Sequence, residues 1–331
     1  MVGIFRLPPV PTAEELLDRG FRATRKVRGT GRSALDRARS RALQSIGAFG
    51  KPIRTGLQRV YTSFPSIDTL PPFYRELLDV IAGIDDTKRN LGSLSWAREQ
   101  VLRRAQDARR TMRASASRDE IERASRAFHG RVASVLREID SSLTFLRKAR
   151  GDLRRVPGVD PNLLTIVIAG SPNVGKSQLV QALSRARPTV ATYPFTTQDL
   201  ALGHFTVGGH RFQVMDTPGL LDRPVSKRNQ VERKALVALR HVADLIVFLL
   251  DPTGISGYPL EDQEALLSDI RLTFPAMPFL EVENKADLGP GTGTRRHISA
   301  LTGSGVDRLL REAVRVLTSP APASAPRRPA D

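Results

Sequence analysis

The fold of this chain is decided by the stretch from 163 to 177, Leu163-Leu164-Thr165-Ile166-Val167-Ile168-Ala169-Gly170-Ser171-Pro172-Asn173-Val174-Gly175-Lys176-Ser177. Its first seven residues are apolar or β-branched and predict a buried strand. The next eight have the spacing G-x-x-x-x-G-K-S of a phosphate-binding loop (P-loop), and an apolar helical pattern follows. The stretch predicts a nucleotide-phosphate site made of Gly170, Ser171, Pro172, Asn173, Val174, Gly175, Lys176 and Ser177.

Two residues at the end of this loop are expected to contact the phosphates and their metal ion. Lys176 should reach the β- and γ-phosphates, and the hydroxyl of Ser177 should bind Mg²⁺. Backbone N–H groups of the loop and the positive N-terminal end of the following helix add to the attraction for an anion.

Two later segments have features of switch loops. In Tyr193-Pro194-Phe195-Thr196-Thr197, a threonine can bind Mg²⁺ and sense the γ-phosphate; Thr197 is the first choice and Thr196 the second, with Phe195 beside them. Asp216-Thr217-Pro218-Gly219 ends a predicted strand, so Asp216 can hold Mg²⁺, often through water, and the Gly219 N–H can meet the γ-phosphate. Each segment alone is also an ordinary turn, and the assignment depends on their order after the P-loop.

The last two segments predict which base is bound. In Asn284-Lys285-Ala286-Asp287, the Asp287 carboxylate can accept from the N1–H and the amino group of guanine, a donor pair that adenine lacks. Lys285 should pack over the base or brace the P-loop. Ser299-Ala300-Leu301 follows another predicted strand, where the Ala300 N–H can meet the guanine O6. The nucleotide is therefore expected to be GTP or GDP.

The pattern around these segments alternates strands and helices. Strands are predicted at 163–169, 203–207, 211–216, 244–251, 278–284 and 297–299, and helices at 176–184, 230–241, 260–274 and 306–318. Such alternation indicates an α/β P-loop GTPase domain, with a mostly parallel sheet and helices on both faces, whose ligands bind at the carboxyl ends of the strands.

The first half of the chain predicts an all-α helical bundle. Helices are expected at 12–27, 33–46 with interruptions at Gly47, Gly50 and Pro52, 73–81, 84–112 and 119–149. The last has an apolar stripe that predicts core, and Trp96 is expected in the core as well. The predicted organisation is a basic helical domain at 1–151, a linker at 152–162, the GTPase domain at 163–318 and a disordered tail at 319–331.

Charge suggests a polyanionic partner. The net charge is +17 and the pI is near 11.1; from Arg19 to Arg59 there are twelve Lys/Arg and one acid, Asp36. This density favours nucleic acid over an anionic membrane surface, and no stable membrane insertion is expected. The absence of cysteine excludes disulfides and thiolate metal sites, and without an evident signal or membrane-spanning segment we expect a cytoplasmic protein.

The same segments resemble a known family. Tyr193-Pro194-Phe195-Thr196-Thr197 resembles the Obg group of GTPases. Asp216-Thr217-Pro218-Gly219-Leu220-Leu221-Asp222-Arg223-Pro224, with Arg228-Asn229-Gln230-Val231-Glu232 and Leu70-Pro71-Pro72-Phe73-Tyr74, is similar to the nucleolar GTP-binding protein one (Nog) family within that group, in a short, archaeal-like form. The resemblance implies a GTPase that acts in large ribosomal subunit assembly and binds rRNA through its basic helical domain. A monomer is expected away from the ribosome.

One difference from Ras-like GTPases concerns catalysis. They have a water-orienting glutamine after the D-x-x-G glycine, where this chain has Leu220, so intrinsic hydrolysis should be slow. In similar GTPases that lack the glutamine, an asparagine at the position of Asn173 helps to bind K⁺, and a ribosomal protein is a second potential activator. The candidate catalytic residues are thus Lys176, Thr197, Gly219 and Asn173. The alternatives are a GTP-sensing RNA-binding placeholder with negligible turnover, or a membrane-surface GTPase.

Overall fold

The structure is a computed structural model that describes residues 5–156, 158–184, 188–192, 199–216, 219, 221–222, 236 and 238–319. It divides into two compact units. A helical unit comprises residues up to Thr69 together with Ile81–Arg154, and a second unit comprises Leu70–Val80 with the residues from Arg155 onward. Among the described residues, no helix combines the length and apolar character that crossing a membrane requires.

The first half of the chain is helical, as predicted. Its helices are α1 (Ala13–Thr24), α2 (Ala34–Ser63), α3 (Pro72–Ala82), α4 (Ile84–Ala114), α5 (Arg118–Glu138) and α6 (Asp140–Leu153), with a 3₁₀ turn at Ile67–Thr69. Side-chain caps define the N-termini of α1, α2 and α5. In each helix the N-cap hydroxyl accepts from the backbone N–H three residues further on; the N-caps are Thr12, Ser33 and Ser117. Helices α1, α2, α4, α5 and α6 pack together around fully buried apolar residues such as Leu16, Phe49, Val101 and Leu143.

The predicted interruption of α2 is wrong, since one helix runs from Ala34 to Ser63. Its glycines allow close packing instead of breaking the helix. A Cβ on Gly56 would lie 2.7 Å from Leu16 of α1, and Gly50 is buried facing Val101 of α4. Burial of the helix outweighs the propensity cost of about 1 kcal/mol per glycine and about 3 kcal/mol for Pro52.

Two further expectations in this half are corrected. The helix predicted over 119–149 is interrupted at Ile139, which has φ −96° and ψ 8°, although its apolar stripe is core as expected. No Pro or Gly marks this break in the sequence. Trp96 is 38% exposed, because the buried seam of α4 runs through its neighbours Leu94, Ala97 and Val101.

The second unit contains a seven-stranded sheet in the order β2-β3-β4-β1-β5-β6-β7. The strands are β1 (Leu164–Ala169), β2 (Thr189–Thr192), β3 (Asp199–Val207), β4 (His210–Asp216), β5 (Leu245–Leu250), β6 (Phe279–Glu283) and β7 (Arg296–His297). The pairs β4–β1, β1–β5, β5–β6 and β6–β7 are parallel, and β2–β3 and β3–β4 are antiparallel. The mostly parallel sheet is confirmed; β2 was not predicted.

Helices α7 (Lys176–Leu183), α8 (Leu260–Thr273) and α9 (Val306–Thr318) pack against this sheet. The helix predicted over 230–241 lies largely outside the described residues, apart from a helical turn at 238–240. Side chains of α7, α9 and strands β1, β4 and β5 form one apolar core. Because β1, β4, β5 and β6 are parallel, their carboxyl ends meet at one edge of the sheet, where the predicted site residues follow.

Segments from outside the sheet complete the second unit. The hydroxyl of Tyr74 in α3 donates to the carbonyl of Val159 at 2.5 Å, and Phe73 and Leu77 are fully buried. Asp160 exchanges two backbone hydrogen bonds with the buried Gln213 side chain of β4, at 2.9 and 2.7 Å. The segment predicted as a linker is thus fixed to the sheet by specific hydrogen bonds.

Candidate nucleotide-binding site

The P-loop connects β1 to α7 and needs its two glycines. Gly170 has φ +138°, and a Cβ there would lie 2.4 Å from the carbonyl oxygen of Leu249. Gly175 has φ +99°, and a Cβ there would lie 2.3 Å from Nδ2 of Asn284. Asn173 also has a left-handed φ, +63°. Any side chain at either glycine would therefore disrupt both the backbone conformation and the contact with a neighbouring strand.

Lys176 folds back over the loop that precedes it. Its Nζ donates to the carbonyl oxygens of Gly170 and Ser171, both at 2.9 Å, and the residue is 8% exposed. Burial lowers the pKa of the ammonium below its ordinary value, and the carboxylates of Asp216 and Asp222 act in the opposite direction. The loop thus holds a nearly buried cation beside its own carbonyls.

Ser177 and Asp216 meet where α7 begins and β4 ends. The Ser177 hydroxyl donates to Oδ2 of Asp216 at 2.5 Å, and Asp216 is 1% exposed. Two of the three residues predicted to bind Mg²⁺, Ser177 and Asp216, therefore lie next to each other. Within the described part of the chain, no group of three or more His, Asp or Glu has the arrangement of a metal site. This donor set suits an ion that also takes oxygens from water and phosphate, as Mg²⁺ does.

The second switch segment is partly described. Gly219 has φ +79°, and its N–H donates to Oδ2 of Asp222 at 2.8 Å. Asp222 was not singled out as a site residue from the sequence. Other predicted site residues lie outside the described residues: Phe195, Thr196, Thr197, Thr217, Pro218, and also Leu220.

Asn284 joins the P-loop to the loop that follows β7. Its Nδ2 donates to the carbonyl of Val174 at 2.8 Å, and its Oδ1 accepts from the Ala300 N–H at 2.8 Å. Asn284 is 1% exposed. Because both hydrogen bonds are buried, losing either would leave an unsatisfied polar group, so the amide fixes the two loops against each other.

The predicted base-reading residues lie together. The Ser299 hydroxyl donates to Oδ1 of Asp287 at 2.5 Å, and Ser299 also accepts from the Thr302 N–H at 3.1 Å. Ser299 and Ala300 are buried, whereas Leu301 is 68% exposed. The carboxylate of Asp287 is thereby oriented by a buried hydroxyl from the neighbouring loop.

Lys285 has a partner that the sequence did not indicate. With φ +68°, it places its ammonium 2.7 Å from Oδ2 of Asp251, whose side chain is fully buried after β5. Burial disfavours the Asp251 carboxylate, but hydrogen bonds from Lys285, Thr253 and Ser256 outweigh it and hold the pKa of Asp251 below its ordinary value. An acid ending a buried strand is the signal that identified Asp216, and applied to β5 it would have found Asp251.

The P-loop also contacts the loop after β5. Nδ2 of Asn173 lies 3.5 Å from the carbonyl oxygen of Ser256. The backbone N–H of Ser256 donates to Oδ2 of Asp251. Loops after β1, β4, β5, β6 and β7 therefore contribute side chains to one connected site at the carboxyl edge of the sheet.

Comparisons with known proteins match both halves of the chain. The NOG1 N-terminal helical domain matches residues 5–160, and the 50S ribosome-binding GTPase domain matches residues 165–285. An uncharacterised protein of Methanocaldococcus jannaschii is 35% identical over 287 residues, which cover 86% of this chain and 80% of that protein.

Two eukaryotic relatives have longer chains. Nucleolar GTP-binding protein 1 of Arabidopsis thaliana is 34% identical over 289 residues, covering 86% of this chain and 43% of that protein. The protein of the same name in Saccharomyces cerevisiae is 31% identical over 285 residues, covering 85% and 44%. This chain thus spans less than half the length of either. With both domains matched in this order, the chain belongs to the nucleolar GTP-binding protein one (Nog) family.

Proposed function

We propose that this protein binds GTP with Mg²⁺, hydrolyses it to GDP and phosphate, and acts as a switch in assembly of the large ribosomal subunit. The strongest support is the Asn284 side chain, which hydrogen-bonds both to Val174 of the P-loop and to Ala300, the residue after the Ser299 that contacts Asp287. Through Asn284, the loop suited to phosphates and the loop suited to a base form one site.

The phosphate side of the site is built from backbone and two side chains. The N–H groups of the P-loop and the start of α7 would hold the phosphate oxygens. The ammonium of Lys176, now on two loop carbonyls, lies where it can turn to the β- and γ-phosphates. Ser177 and Asp216, with Thr197 as a third candidate, would hold Mg²⁺, which neutralises charge on the phosphates when bound.

Selectivity for guanine is assigned to Asp287. Its Oδ1 accepts from Ser299, which leaves the carboxylate oriented to accept from N1–H and the exocyclic amino group of guanine. The N–H of Ala300 accompanies it as a donor for O6, although that N–H is shared with Oδ1 of Asn284 in this structure. Lys285, held by Asp251, would cover the base with its aliphatic chain.

Catalysis would depend on positioning and on neutralising charge. Lys176 and the N–H of Gly219, once released from Oδ2 of Asp222, would stabilise negative charge on the transferred phosphoryl group, and Thr197 would position water. Because Leu220 replaces a water-orienting glutamine, we assign additional charge stabilisation to K⁺ held with the help of Asn173, or to a ribosomal partner.

Ribosomal action is supported by the names of the matched domain and relatives and by the charge of the helical unit. The GTPase domain model is described as 50S ribosome-binding, and the eukaryotic relatives are nucleolar. The whole chain has a net charge of +17, and twelve of its Lys/Arg lie from Arg19 to Arg59 in the helical unit, which favours RNA as the partner in the large subunit. Leu220 also favours a second candidate, a GTP-sensing RNA-binding placeholder whose turnover is incidental.

Single-turnover hydrolysis separates these two candidates. The purified protein is mixed with γ-labelled GTP and Mg²⁺ in KCl, with and without purified large ribosomal subunits, and with excess ATP as competitor. The switch proposal predicts phosphate release that subunits accelerate and ATP leaves unchanged. Release at the uncatalysed rate under every condition would leave only the placeholder. Equal competition by ATP would contradict guanine selectivity.

A further inference from the structure

Helices α2 and α4 of the helical unit enclose a groove of about 700 Å³, within the range of about 300–1,000 Å³ typical of ligand pockets. Its walls carry four cationic side chains and no carboxylate: Lys51 and Arg54 from α2, and Arg98 and Arg109 from α4. We call this the α2–α4 groove. The absence of acids excludes a cation as its occupant and favours an anion.

None of the four cations of the groove forms an ion pair with another described residue. Ion pairs of described residues in α2 and α4 involve other side chains: Arg39, Lys88, Arg89 and Arg103. Arg54 is half-buried, and its Nε is buried without a hydrogen-bond partner among the described residues. A ligand in the groove can supply the acceptor that this donor lacks. Arg98 is held in place by a hydrogen bond to Oε1 of Gln58.

Two glycines of α2 line the groove. A Cβ on Gly47 would lie 2.9 Å from Nη2 of Arg109, and Gly50 lies against Val101 with room for an ordinary contact. These are the residues that predicted a helix break and did not produce one. Gly47 is half-buried and has no side chain, so a ligand in the groove can approach the α2 backbone closely there.

The floor of the groove is apolar. Ile46 and Val101 are buried there, and Leu102 is 38% exposed. Two amides, Gln58 and Gln106, line it as well. Phosphate, base face and base edge are the three features of an unstacked nucleotide, and cations, apolar surface and amides recognise them respectively. This combination favours a nucleotide, and binding to protein-free rRNA distinguishes it from an acidic peptide.

We infer that the α2–α4 groove binds an unpaired nucleotide of RNA, with its phosphate on Lys51, Arg54 and Arg109. This inference rests on the proposed RNA-binding function and identifies the α2–α4 groove as an RNA-binding site. The arginines near the start of α2 are a weaker choice, because Arg39 donates to the Ser115 carbonyl at 2.8 Å and Arg37 to the carbonyls of Gly31 and Arg32. Their guanidinium groups are already engaged in holding the helical unit together.

The test measures binding of the full chain to protein-free large-subunit rRNA and to large ribosomal subunits, over a range of KCl concentrations. The triple variant Lys51→Gln, Arg54→Gln, Arg109→Gln should bind both at least about tenfold more weakly at 150 mM salt. Its slope of log K against log[salt] should be smaller by about 1, because the three cations hold one phosphate. The matched control replaces three exposed arginines of α5: Arg123→Gln, Arg126→Gln and Arg131→Gln.

A second pair of variants differs by one charge at an exposed position. Leu102→Glu should weaken binding to rRNA more than Leu102→Gln, because only the glutamate repels phosphate. Thermal unfolding and GTP affinity of all variants should match those of the wild type.

If the wild type binds rRNA and the groove variants bind it as the α5 control does, the groove assignment is wrong. If only binding to whole subunits falls, the occupant is a ribosomal protein and the inference is overturned. If the wild type itself does not bind rRNA, the proposed RNA-binding function fails as well.

Discussion

The ammonium of Lys285 lies 2.7 Å from Oδ2 of Asp251, whose side chain has no exposed surface. Both residues follow strands at the carboxyl edge of the sheet, and Asp251 also accepts from Ser256 in the loop that contacts Asn173. This pair therefore couples the loop that would hold the base to a loop beside the P-loop. Breaking a buried pair from one side leaves the other charge without compensation.

We predict that Asp251→Asn lowers the free energy of unfolding by about 1–3 kcal/mol. It should also speed dissociation of fluorescent GDP, because Lys285 is no longer held. Urea unfolding and stopped-flow dissociation measure the two effects. Asp262→Asn, at an exposed position in the first turn of α8, is the control and should leave dissociation unchanged. Unaltered dissociation in the Asp251 variant would mean that the pair does not support the base site.

A second prediction concerns Mg²⁺. Ser177→Ala removes the hydroxyl that donates to Asp216, and we expect it to weaken GTP binding about ten- to a hundredfold in Mg²⁺. In EDTA, wild type and variant should bind GTP equally, because the lost interaction is with the ion. Calorimetric titration in both buffers measures this. An equal loss in EDTA would show that the serine acts on the loop rather than on the metal.

Hydrolysis should depend on the monovalent cation. If K⁺ stabilises the negative charge of the transition state in place of a switch glutamine or an arginine, GTP hydrolysis should be about tenfold faster in KCl than in NaCl. Asn173→Ala should remove this difference without abolishing GTP binding. Rates that are equal in the two salts for the wild type would refute the K⁺ hypothesis and leave a ribosomal activator.

The stability of the helical unit should depend on pH through His129. It packs against the rings of Phe49 and Phe128, at centroid distances of 4.6 and 5.4 Å, and burial lowers its pKa below the ordinary histidine value. Since the unfolded state then binds more protons, the stability contribution is complete above the unfolded pKa of about 6.5 and is lost as the pH falls through the folded pKa.

The measurement follows urea unfolding by fluorescence of Trp96, the only tryptophan, between pH 8 and pH 5. His129→Phe keeps a ring in the cluster and should reduce the loss of stability at low pH. His210→Gln, at an exposed position, should retain the wild-type dependence. A His129→Phe variant that loses stability as steeply as the wild type would contradict this assignment.

The sequence predicted the sheet domain well because its signals are local and redundant. β-branched runs with turn residues at their ends located β1, β4, β5 and β6, and the Gly170–Ser177 spacing located the P-loop. It did not predict the short edge strand β2, since four residues carry little periodicity. The interpretation of Gly47 and Gly50 as breaks failed because packing of α2 against α4 overrides propensity.

Partners of the site residues were harder to predict than the residues themselves. The pairing of Lys285 with Asp251, and of Asn284 with both Val174 and Ala300, joins positions far apart in the sequence. Only the strand order brings them together. A motif specifies which group is present, and the sheet topology specifies which group it meets.

We propose that Asp287 selects guanine at the P-loop site, and the Asp287→Asn variant probes this role. The carboxamide can still accept from Ser299, but its NH₂ faces the exocyclic amino group of guanine, where two donors oppose each other. Xanthine has a carbonyl there and accepts from the same NH₂. Binding of GTP, XTP and ATP to wild type and variant is measured by calorimetry. We expect the variant to lose GTP binding by a factor of about 10² or more and to gain XTP binding, while ATP binds to neither protein. Unchanged GTP affinity in the variant would contradict it.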